Sequence, residues 1–307
     1  MQTQPIAVQV ARLMDKGKRQ ASLEDVPGWD AGRLQDARVV VAGAGALGAE
    51  IARQLALSGV GRLLIADAVG VTSEDIGSSG MFRFEDLGMP RAYLVRSRLQ
   101  ALCPDLRAHA LSESPLSLGS GVVRNADLVV ASDCVPRARL ALDRWCRKTG
   151  RPWIDASSGV YHGQFRVLRA TTGACLECGM PDGVRKALTT ALPAAVGTAP
   201  LAVPATIAVV AGLISQTALR LLCPVEGLPD ATGREYLYNG HATQVTAQAL
   251  SRRHDCDHPD PPAVLEGPWS GETRLIELLD AARNALGADA ALEFDRPIAW
   301  RLTCDRC

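Results

Sequence analysis

A strand, a glycine-rich turn and a helix follow one another early in the chain, and they constrain its fold more than any other feature. The segment Val39–Glu50 reads VVVAGAGALGAE, an apolar run that breaks into Gly43, Gly45 and Gly48 and then continues with a helical pattern to Ser58. Glycines allow a tight turn and a close approach of the backbone to a phosphate, and a helix N-terminus offers unpaired N–H groups. The segment therefore predicts the first unit of a parallel α/β sheet.

A carboxylate follows the next strand. The second apolar run, Arg62–Ala66, is followed by Asp67, nineteen residues after Gly48. An acid at this place can accept hydrogen bonds from the ribose hydroxyls of a nucleotide. The order of strand, glycine turn, helix, strand and acid therefore predicts a nucleotide-binding unit, with Gly43, Gly45, Gly48 and Asp67 as its binding residues.

Strand and helix patterns continue to alternate, which predicts a Rossmann-like, mostly parallel sheet with helices on both faces. Period-two patterns at Tyr161–Arg169 and Arg234–Leu250 then predict a mixed or antiparallel half. The other elements of the parallel part are expected at Ala92–Leu102, Arg107–Leu111, Asp127–Ala131, Leu140–Lys148 and Pro152–Ala156.

The same patterns divide the chain into three parts. Residues 1–35 form a lead-in, residues 36–258 carry the alternating pattern of one domain, and residues 259–307 begin with a proline-rich linker and continue as a small tail. Short elements outside the domain are expected at Val8–Leu13, Glu272–Leu286 and Ala291–Phe294.

Composition narrows the classes of partner. The 33 lysines and arginines balance the 33 acids, so neither nucleic acid nor an acidic membrane surface is expected to bind. The stretch Leu201–Cys223 is apolar, but Pro204, Gln216 and Arg220 favour a buried core helix over a membrane span. The N-terminus lacks the apolar core of a signal peptide, and a cytoplasmic location is expected.

Nine cysteines occur, and the spacing of four of them suggests a metal site. Cys175 and Cys178 form one C-x-x-C pair, and Cys304 and Cys307 form another at the end of the chain. Two such pairs can supply four thiolates to a structural zinc ion. The alternative for the terminal pair is a loose redox pair or no role.

A rival pair of ligands is present at Cys256 and His258, within the sequence HDCDH that begins at His254. The C-x-H spacing is tighter than the usual zinc-binding pair, so we rank it behind the terminal C-x-x-C pair. The remaining cysteines lie in helical or apolar segments and are expected to be buried packing residues.

Several motifs occur together in a fixed order. They are Arg19-Gln20, the GAGALG turn, Leu57–Leu63, Asp67, the segment Phe82–Ala92 (FRFEDLGMPRA), the segment Asp127–Asp133 (DLVVASD) and Gly173–Cys178 (GACLEC). In this order, over about residues 19–258, the chain resembles the ubiquitin-activating-enzyme-like adenylyltransferases, the ThiF/MoeB/HesA group.

The resemblance implies ATP-dependent adenylation of a carboxylate, the C-terminus of a small β-grasp carrier protein or a peptide. It implies a phosphate turn made by the three glycines, Asp67 at the ribose, Asp133 at a magnesium ion, and Arg91 as a cation at the phosphates. It also implies a homodimer in which Arg19 reaches the nucleotide site of the partner.

Four positions depart from the pattern of the group. Asp75 stands where an asparagine is expected, Ser78 where an arginine is expected, Arg91 where a lysine is expected, and Val69 where a second acid is expected. Arg91 keeps the charge and can fork onto phosphate oxygens. Loss of an arginine finger costs roughly 10³- to 10⁵-fold in rate in other phosphoryl-transfer enzymes. Arg83 is either a replacement cation or an ordinary surface residue.

The segment Leu188–Leu201 contains no cysteine, where thioester- or persulfide-forming members keep one. Threonines there cannot form a thioester, so the expected reaction has no covalent cysteine intermediate.

Two other hypotheses remain open. One is a catalytically degenerate member that binds a peptide, a carrier protein or an active partner subunit; Ser78 and Val69 favour it, and Asp67 and Asp133 oppose it. The other is a nicotinamide-dependent oxidoreductase, for which the second half of the chain offers no hydride-transfer site.

Overall fold

The structure, a computed structural model, describes most of the chain between residues 28 and 290. The described ranges are 28–169, 173–180, 182, 202–225, 227–256, 267, 269–270 and 272–290. The chain divides into two compact units, Met1–Asp260 and Pro261–Cys307. The expected helix at Val8–Leu13 and the expected strand at Ala291–Phe294 lie outside the described residues.

Strands of the first unit form one sheet. Among the described residues they are β1 (Arg38–Ala42), β2 (Arg62–Ala66), β3 (Arg107–Leu111), β4 (Leu128–Ser132), β5 (Trp153–Ser158), β6 (His162–Leu168), β7 (Arg234–Asn239) and β8 (Gln244–Ala249). The order is β3-β2-β1-β4-β5-β6-β7-β8. Strands β1 to β5 pair in parallel, and β5 to β8 pair antiparallel. The predicted sheet, mostly parallel with an antiparallel continuation, is confirmed.

Helices cover both faces of this sheet. In the first unit they are α1 (Ala31–Asp36), α2 (Ala46–Leu57), α3 (Ser73–Ser78), α4 (Arg91–Leu102), α5 (Gly119–Arg124), α6 (Pro136–Thr149) and α7 (Pro204–Leu222); α8 (Leu275–Leu286) lies in the second. Side chains alternate along a strand, so Val39 and Val41 join a core with α2, α4 and α7, whereas Val40 and Ala42 join another with α5 and α6.

Most observed bounds fall within a few residues of the expected ones. Helix α6 begins at Pro136, four residues before the expected Leu140, because a proline fits the first helical turn, where its missing N–H needs no partner. Strand β5 extends to Ser158. The segment expected to be strand from Arg234 to Leu250 is a hairpin of β7 and β8.

Helix α7 is the apolar stretch that raised the question of a membrane span. Within the described part of the chain it is the one helix long and apolar enough for a span, and half of its most apolar window is buried. Ile207, Val210 and Ile214 lie in the core that α7 shares with α2. A Cβ on Gly163 of β6 would lie 2.3 Å from a methyl of Val210, so glycine allows the helix to lie close against the sheet.

Candidate active site

The glycine turn lies where the carboxyl ends of β1 and β4 meet. Gly43 follows β1 with φ +91°, and a Cβ there would lie 2.1 Å from the carbonyl oxygen of Ser132, the last residue of β4. A Cβ on Gly48 would lie 1.9 Å from the carbonyl oxygen of Gly43. Both positions therefore require glycine. The strand order reverses at this point, which is where open α/β sheets bind ligands.

Helix α2 begins directly after the turn. Gly45 is its N-cap, no side chain caps its N-terminus, and its first turn has no acidic residue. The first N–H groups of a helix have no intrahelical acceptor, and together with the helix dipole they favour an anion. The arrangement of Gly43, Gly45 and Gly48 is therefore suited to a phosphate.

Asp67 connects the end of β2 to this turn. Its Oδ2 accepts a hydrogen bond from the N–H of Ala44 (2.7 Å), and its Oδ1 accepts one from the N–H of Val69 (2.8 Å). Burial raises the pKa of Asp67, although the two N–H groups and Arg91 act in the opposite direction. A carboxylate has about four acceptor positions, so Asp67 keeps capacity for ribose hydroxyls.

Arg91, the first residue of α4, is buried beside two carboxylates. Its Nε and Nη2 lie 2.6 and 2.5 Å from Oδ2 of Asp75, and its Nη1 lies 3.8 Å from Oδ2 of Asp67. Asp75 belongs to α3, where it forms a capping box with Thr72. The sequence marked Asp75 and Arg91 as two separate departures from the group, and the structure joins them in one ion pair.

Ser78 and Arg83 complete this segment. Ser78 is buried and uncharged at the end of α3. The side chain of Arg83 is 71% exposed and lies 3.5 Å from Glu85. This position fits the alternative in which Arg83 is an ordinary surface residue.

Asp133 follows β4 in a left-handed conformation with φ +48°. Its Oδ1 accepts from the N–H of Ser158 and its Oδ2 from the hydroxyl of Ser158, both at 2.9 Å. Burial raises the pKa of Asp133 to about 6, although the Ser158 donors and the charge of Arg139 act against this shift. The sequence predicted Asp133 as a ligand but not Ser158 as the residue that holds it.

A partly buried ion pair lies near Asp133. The Nε of Arg139 in α6 lies 2.6 Å from Oδ1 of Asp155 in β5, and Nη2 of Arg139 also donates to Oδ2 of Asp155. This pair was not predicted from the sequence. Its signal was a charged residue inside the apolar strand β5, because a buried charge needs a partner.

Three cysteines form a cluster in the first unit. The Sγ of Cys175 lies 3.6 Å from that of Cys178 and 3.5 Å from that of Cys256. Sulfur atoms around a tetrahedral zinc ion, with bonds of about 2.3 Å, are about 3.8 Å apart. The donor set and its spacing therefore fit zinc, and the third thiol comes from the rival ligand pair.

The remaining predicted ligands are not placed. Cys304, Cys307 and His258 lie outside the described residues, and so does Arg19. The structure thus brings Cys256 to Cys175 and Cys178 but does not test the terminal pair.

Comparison with known proteins agrees with the motifs. The model of the ThiF family matches residues 18–258. The sulfur carrier protein ThiS adenylyltransferase of Escherichia coli (strain K12) is 29% identical over 243 residues, which cover 78% of this chain and 92% of that protein. The SAMP-activating enzyme E1 of Haloferax volcanii is 32% identical over 174 residues, which cover 56% of this chain and 64% of that protein.

Solved structures share the fold. A crystal structure of E. coli MccB with AMPCPP and MccA has a TM-score of 0.63 and covers 79% of this chain and 74% of that chain. Its sequence is 17% identical, so the likeness concerns the fold alone. The family match is the stronger finding, since it spans the glycine turn, Asp67, Asp133 and the cysteine cluster. The chain belongs to the ThiF family.

Proposed function

We propose that this protein uses ATP to adenylate the C-terminal carboxylate of a small β-grasp carrier protein or a peptide. The observation that carries the proposal is the position of the glycine turn, Asp67 and Asp133 at the carboxyl ends of neighbouring parallel strands. The names of the relatives support it, because one is an adenylyltransferase of a sulfur carrier protein and another is an activating enzyme.

In the proposed reaction, a carboxylate oxygen of the substrate forms a bond to the α-phosphorus of ATP, and the bond from that phosphorus to the leaving pyrophosphate oxygen breaks. The products are an acyl-adenylate and pyrophosphate. The N–H groups of the glycine turn and α2 would hold phosphate oxygens, and Asp67 would accept from the ribose. Arg91 would place its guanidinium beside the phosphates, with its charge offset by Asp75. The prediction that Arg19 of a partner subunit supplies a further cation at this site is not tested by the structure.

Asp133 is the proposed residue for magnesium. Carboxylate oxygens are preferred Mg²⁺ ligands, and no arginine or lysine of the described residues bonds to this carboxylate. Bound there, the ion would neutralise charge on phosphate oxygens. The N–H and hydroxyl of Ser158 fix both carboxylate oxygens and leave their other lone pairs for the ion.

The proposed reaction has no cysteine intermediate. The segment Leu188–Leu201 contains no thiol, and Cys134 beside the glycine turn is unsuited to attack. The Sγ of Cys134 lies 3.1 Å from the carbonyl oxygen of Ala42. Burial, and then the charge of Asp67, raise the pKa of the Cys134 thiol well above its usual range. The acyl-adenylate would therefore pass directly to an external nucleophile.

Cys175, Cys178 and Cys256 are the proposed ligands of a structural zinc ion. The sequence offers His258 or the terminal C-x-x-C pair for the fourth position. Native mass spectrometry of Cys256→Ser and Cys304→Ser variants tests the set. We expect the ion to be lost from Cys256→Ser, and retention of zinc in that variant would contradict the proposal.

A homodimer is the proposed assembly. One short segment that ends in α4 exposes four large apolar side chains, those of Phe84, Leu87, Met89 and Tyr93. An exposed apolar group of this kind commonly marks an interface. Analytical ultracentrifugation of Leu87→Glu tests this, with the exposed Leu228→Glu as the control. A wild-type monomer, or a Leu87→Glu variant that still dimerises, would contradict it.

Calorimetric titration of Mg-ATP tests the proposed function. We expect binding by the wild-type protein, loss of binding in Asp133→Asn, and unchanged binding in Asp105→Asn, an exposed aspartate before β3. Pyrophosphate exchange with candidate carboxylate partners then tests the reaction itself. A folded wild-type protein that does not bind Mg-ATP would instead favour the degenerate partner subunit, which the uncharged Ser78 and the Asp75–Arg91 pair already make the second candidate.

A further inference from the structure

Three charged side chains surround the start of α2. Asp67, Asp75 and Arg91 are 6%, 3% and 8% exposed, and together they carry a net charge of −1. The group pattern implies asparagine, arginine and lysine at positions 75, 78 and 91, which would sum to +2. The residues present are Asp75, Ser78 and Arg91, which sum to 0. The net charge beside a turn suited to phosphate is therefore two units lower than in the group pattern, because one positive charge is lost at position 78 and one negative charge is gained at position 75.

The two oxygens of Asp75 have different surroundings. Oδ2 accepts from Nε of Arg91 (2.6 Å), from the N–H of Thr72 (2.9 Å) and from the Thr72 hydroxyl (3.1 Å), and Nη2 of Arg91 lies 2.5 Å away in the same ion pair. Oδ1 lies 3.5 Å from the place that a Cβ on Gly45 would take, and Nη1 of Arg91 lies 3.9 Å from the same place. No donor within the described residues bonds to Oδ1, so this oxygen is left facing the N-terminus of α2.

We propose that Asp75 and Arg91 act as one charge-compensated unit that makes the site selective for a polyphosphate carrying a divalent cation. This rests on the proposed function, in which the site takes ATP. Arg91 alone would attract any phosphate at Gly45. Asp75 cancels that charge and places Oδ1 at the turn, where it repels a bare phosphate oxygen and suits a metal ion. Asp75 is thus a specificity-determining residue.

The test is calorimetric titration with Mg-ATP and, separately, with ATP in the presence of EDTA. For the wild-type protein we expect tighter binding of Mg-ATP by about a hundredfold. In Asp75→Asn the removed charge should tighten the binding of metal-free ATP by about tenfold or more, at a few ångströms and an intermediate dielectric. The preference for the metal complex should fall by the same factor.

The Asp75→Asn variant leaves Arg91 without its nearest carboxylate, and this can prevent folding. In that case Asp75→Asn is combined with Arg91→Gln, and the affinity of this double variant for ATP is compared with that of Arg91→Gln alone. Metal-free ATP should again bind more tightly once Asp75 is replaced. Thermal melts of every variant report folding.

The outcomes separate this proposal from the proposed function. Equal binding of both forms of ATP by the wild-type protein would overturn the role of Asp75 and leave the proposed function in place. A wild-type protein that binds neither form would overturn the proposed function and, with it, the selectivity assigned to Asp75. An Asp75→Asn variant that gains no affinity for metal-free ATP would overturn the role of Asp75.

Discussion

The two sides of the proposed nucleotide site hold their carboxylates in different ways. On the side formed by residues 67–91, Asp67 and Asp75 lie against the guanidinium of Arg91. On the side formed by residues 128–158, Asp133 is held by the amide and hydroxyl of Ser158, and the nearby arginine is bonded to Asp155 instead. The first side carries its own counter-charge, whereas the second leaves Asp133 to be neutralised by a proton or a metal ion.

This difference predicts that the two sides respond differently to substitution. In the Asp75–Arg91 pair, each charge has its counter-charge within the protein. A carboxylate that receives only neutral donors stays available to a ligand, and burial raises the pKa of Asp133 to about 6 because the Ser158 donors and the charge of Arg139 only partly offset it. Four substitutions test this comparison, from the largest expected effect to the smallest.

Gly43→Ala should have the largest effect, because it disturbs the turn that both sides share. The added Cβ would lie 2.1 Å from the carbonyl oxygen of Ser132, and Gly43 itself has a φ of +91°. Both atoms of this contact are fixed to the backbone, so relieving the clash would require the backbone to move. We expect a loss of about 4 kcal/mol or more in the free energy of unfolding, and no nucleotide binding. Gly77→Ala in α3 is the matched control, since no atom lies within 4 Å of the added group. Equal stability of the two variants in urea would contradict the close approach.

Asp143→Asn should remove a pH dependence that belongs to the second side. Asp143 in α6 accepts from Nε1 of Trp153 (3.2 Å) and the N–H of Leu176 (3.3 Å), and burial raises its pKa from 3.8 to about 6. In the folded protein Asp143 therefore keeps a proton that the unfolded chain releases, so the contribution of Asp143 to stability is greatest below pH 4 and falls as pH rises through 6. Relative to wild type, the variant should gain up to about 3 kcal/mol between pH 4 and pH 7 in urea unfolding. A constant difference across that range would refute this.

Asp86→Asn should show the opposite sign on the first side. Burial of Asp86 acts to raise its pKa, but bonds from the Arg98 guanidinium (2.7 Å) and the N–H of Arg83 (2.6 Å) outweigh it and leave the pKa below its usual value. Its stabilisation is present at neutral pH and is lost as pH falls through the lowered pKa. We expect a cost of about 2 kcal/mol at pH 7 that disappears in acid. Unfolding at the same pH values as for Asp143→Asn makes the comparison direct.

Ser158→Ala should have the smallest effect. The variant keeps the N–H that bonds to Oδ1 of Asp133 and loses only the hydroxyl at Oδ2. As a positioning residue, Ser158 should change the magnesium concentration needed for half-maximal pyrophosphate exchange by about tenfold and leave the affinity for ATP at saturating magnesium nearly unchanged. Ser157→Ala, its neighbour in β5, is the control. An effect on both quantities alike would indicate a general structural role.

Local patterns were sufficient to predict the sheet and the turn. Apolar runs and glycines are contiguous in sequence, so β1, α2 and β2 follow from residues 39–67 alone. The positions of Asp67 and Asp133 in the fold could also be predicted, because each directly follows a parallel strand that the sequence pattern identifies.

The pairings were not predictable in the same way. Asp75 and Arg91, and likewise Arg139 and Asp155, are each sixteen residues apart on different elements, so their contact depends on how those elements pack. Cys256 was identified as a rival ligand, yet its place beside Cys175 requires the chain to return across the antiparallel half of the sheet. Sequence spacing carries no information on such a return.

The left-handed backbone at Asp133 has a consequence for substitution at this position. Most side chains are strained at a φ of +48°, whereas aspartate, asparagine and glycine adopt it at low cost. Few residue types can therefore replace Asp133 without straining the backbone, whether or not the proposed reaction is retained. A descendant without the proposed reaction would be expected to carry asparagine or glycine after β4 in place of the proposed metal ligand, while the sheet around this position stayed intact.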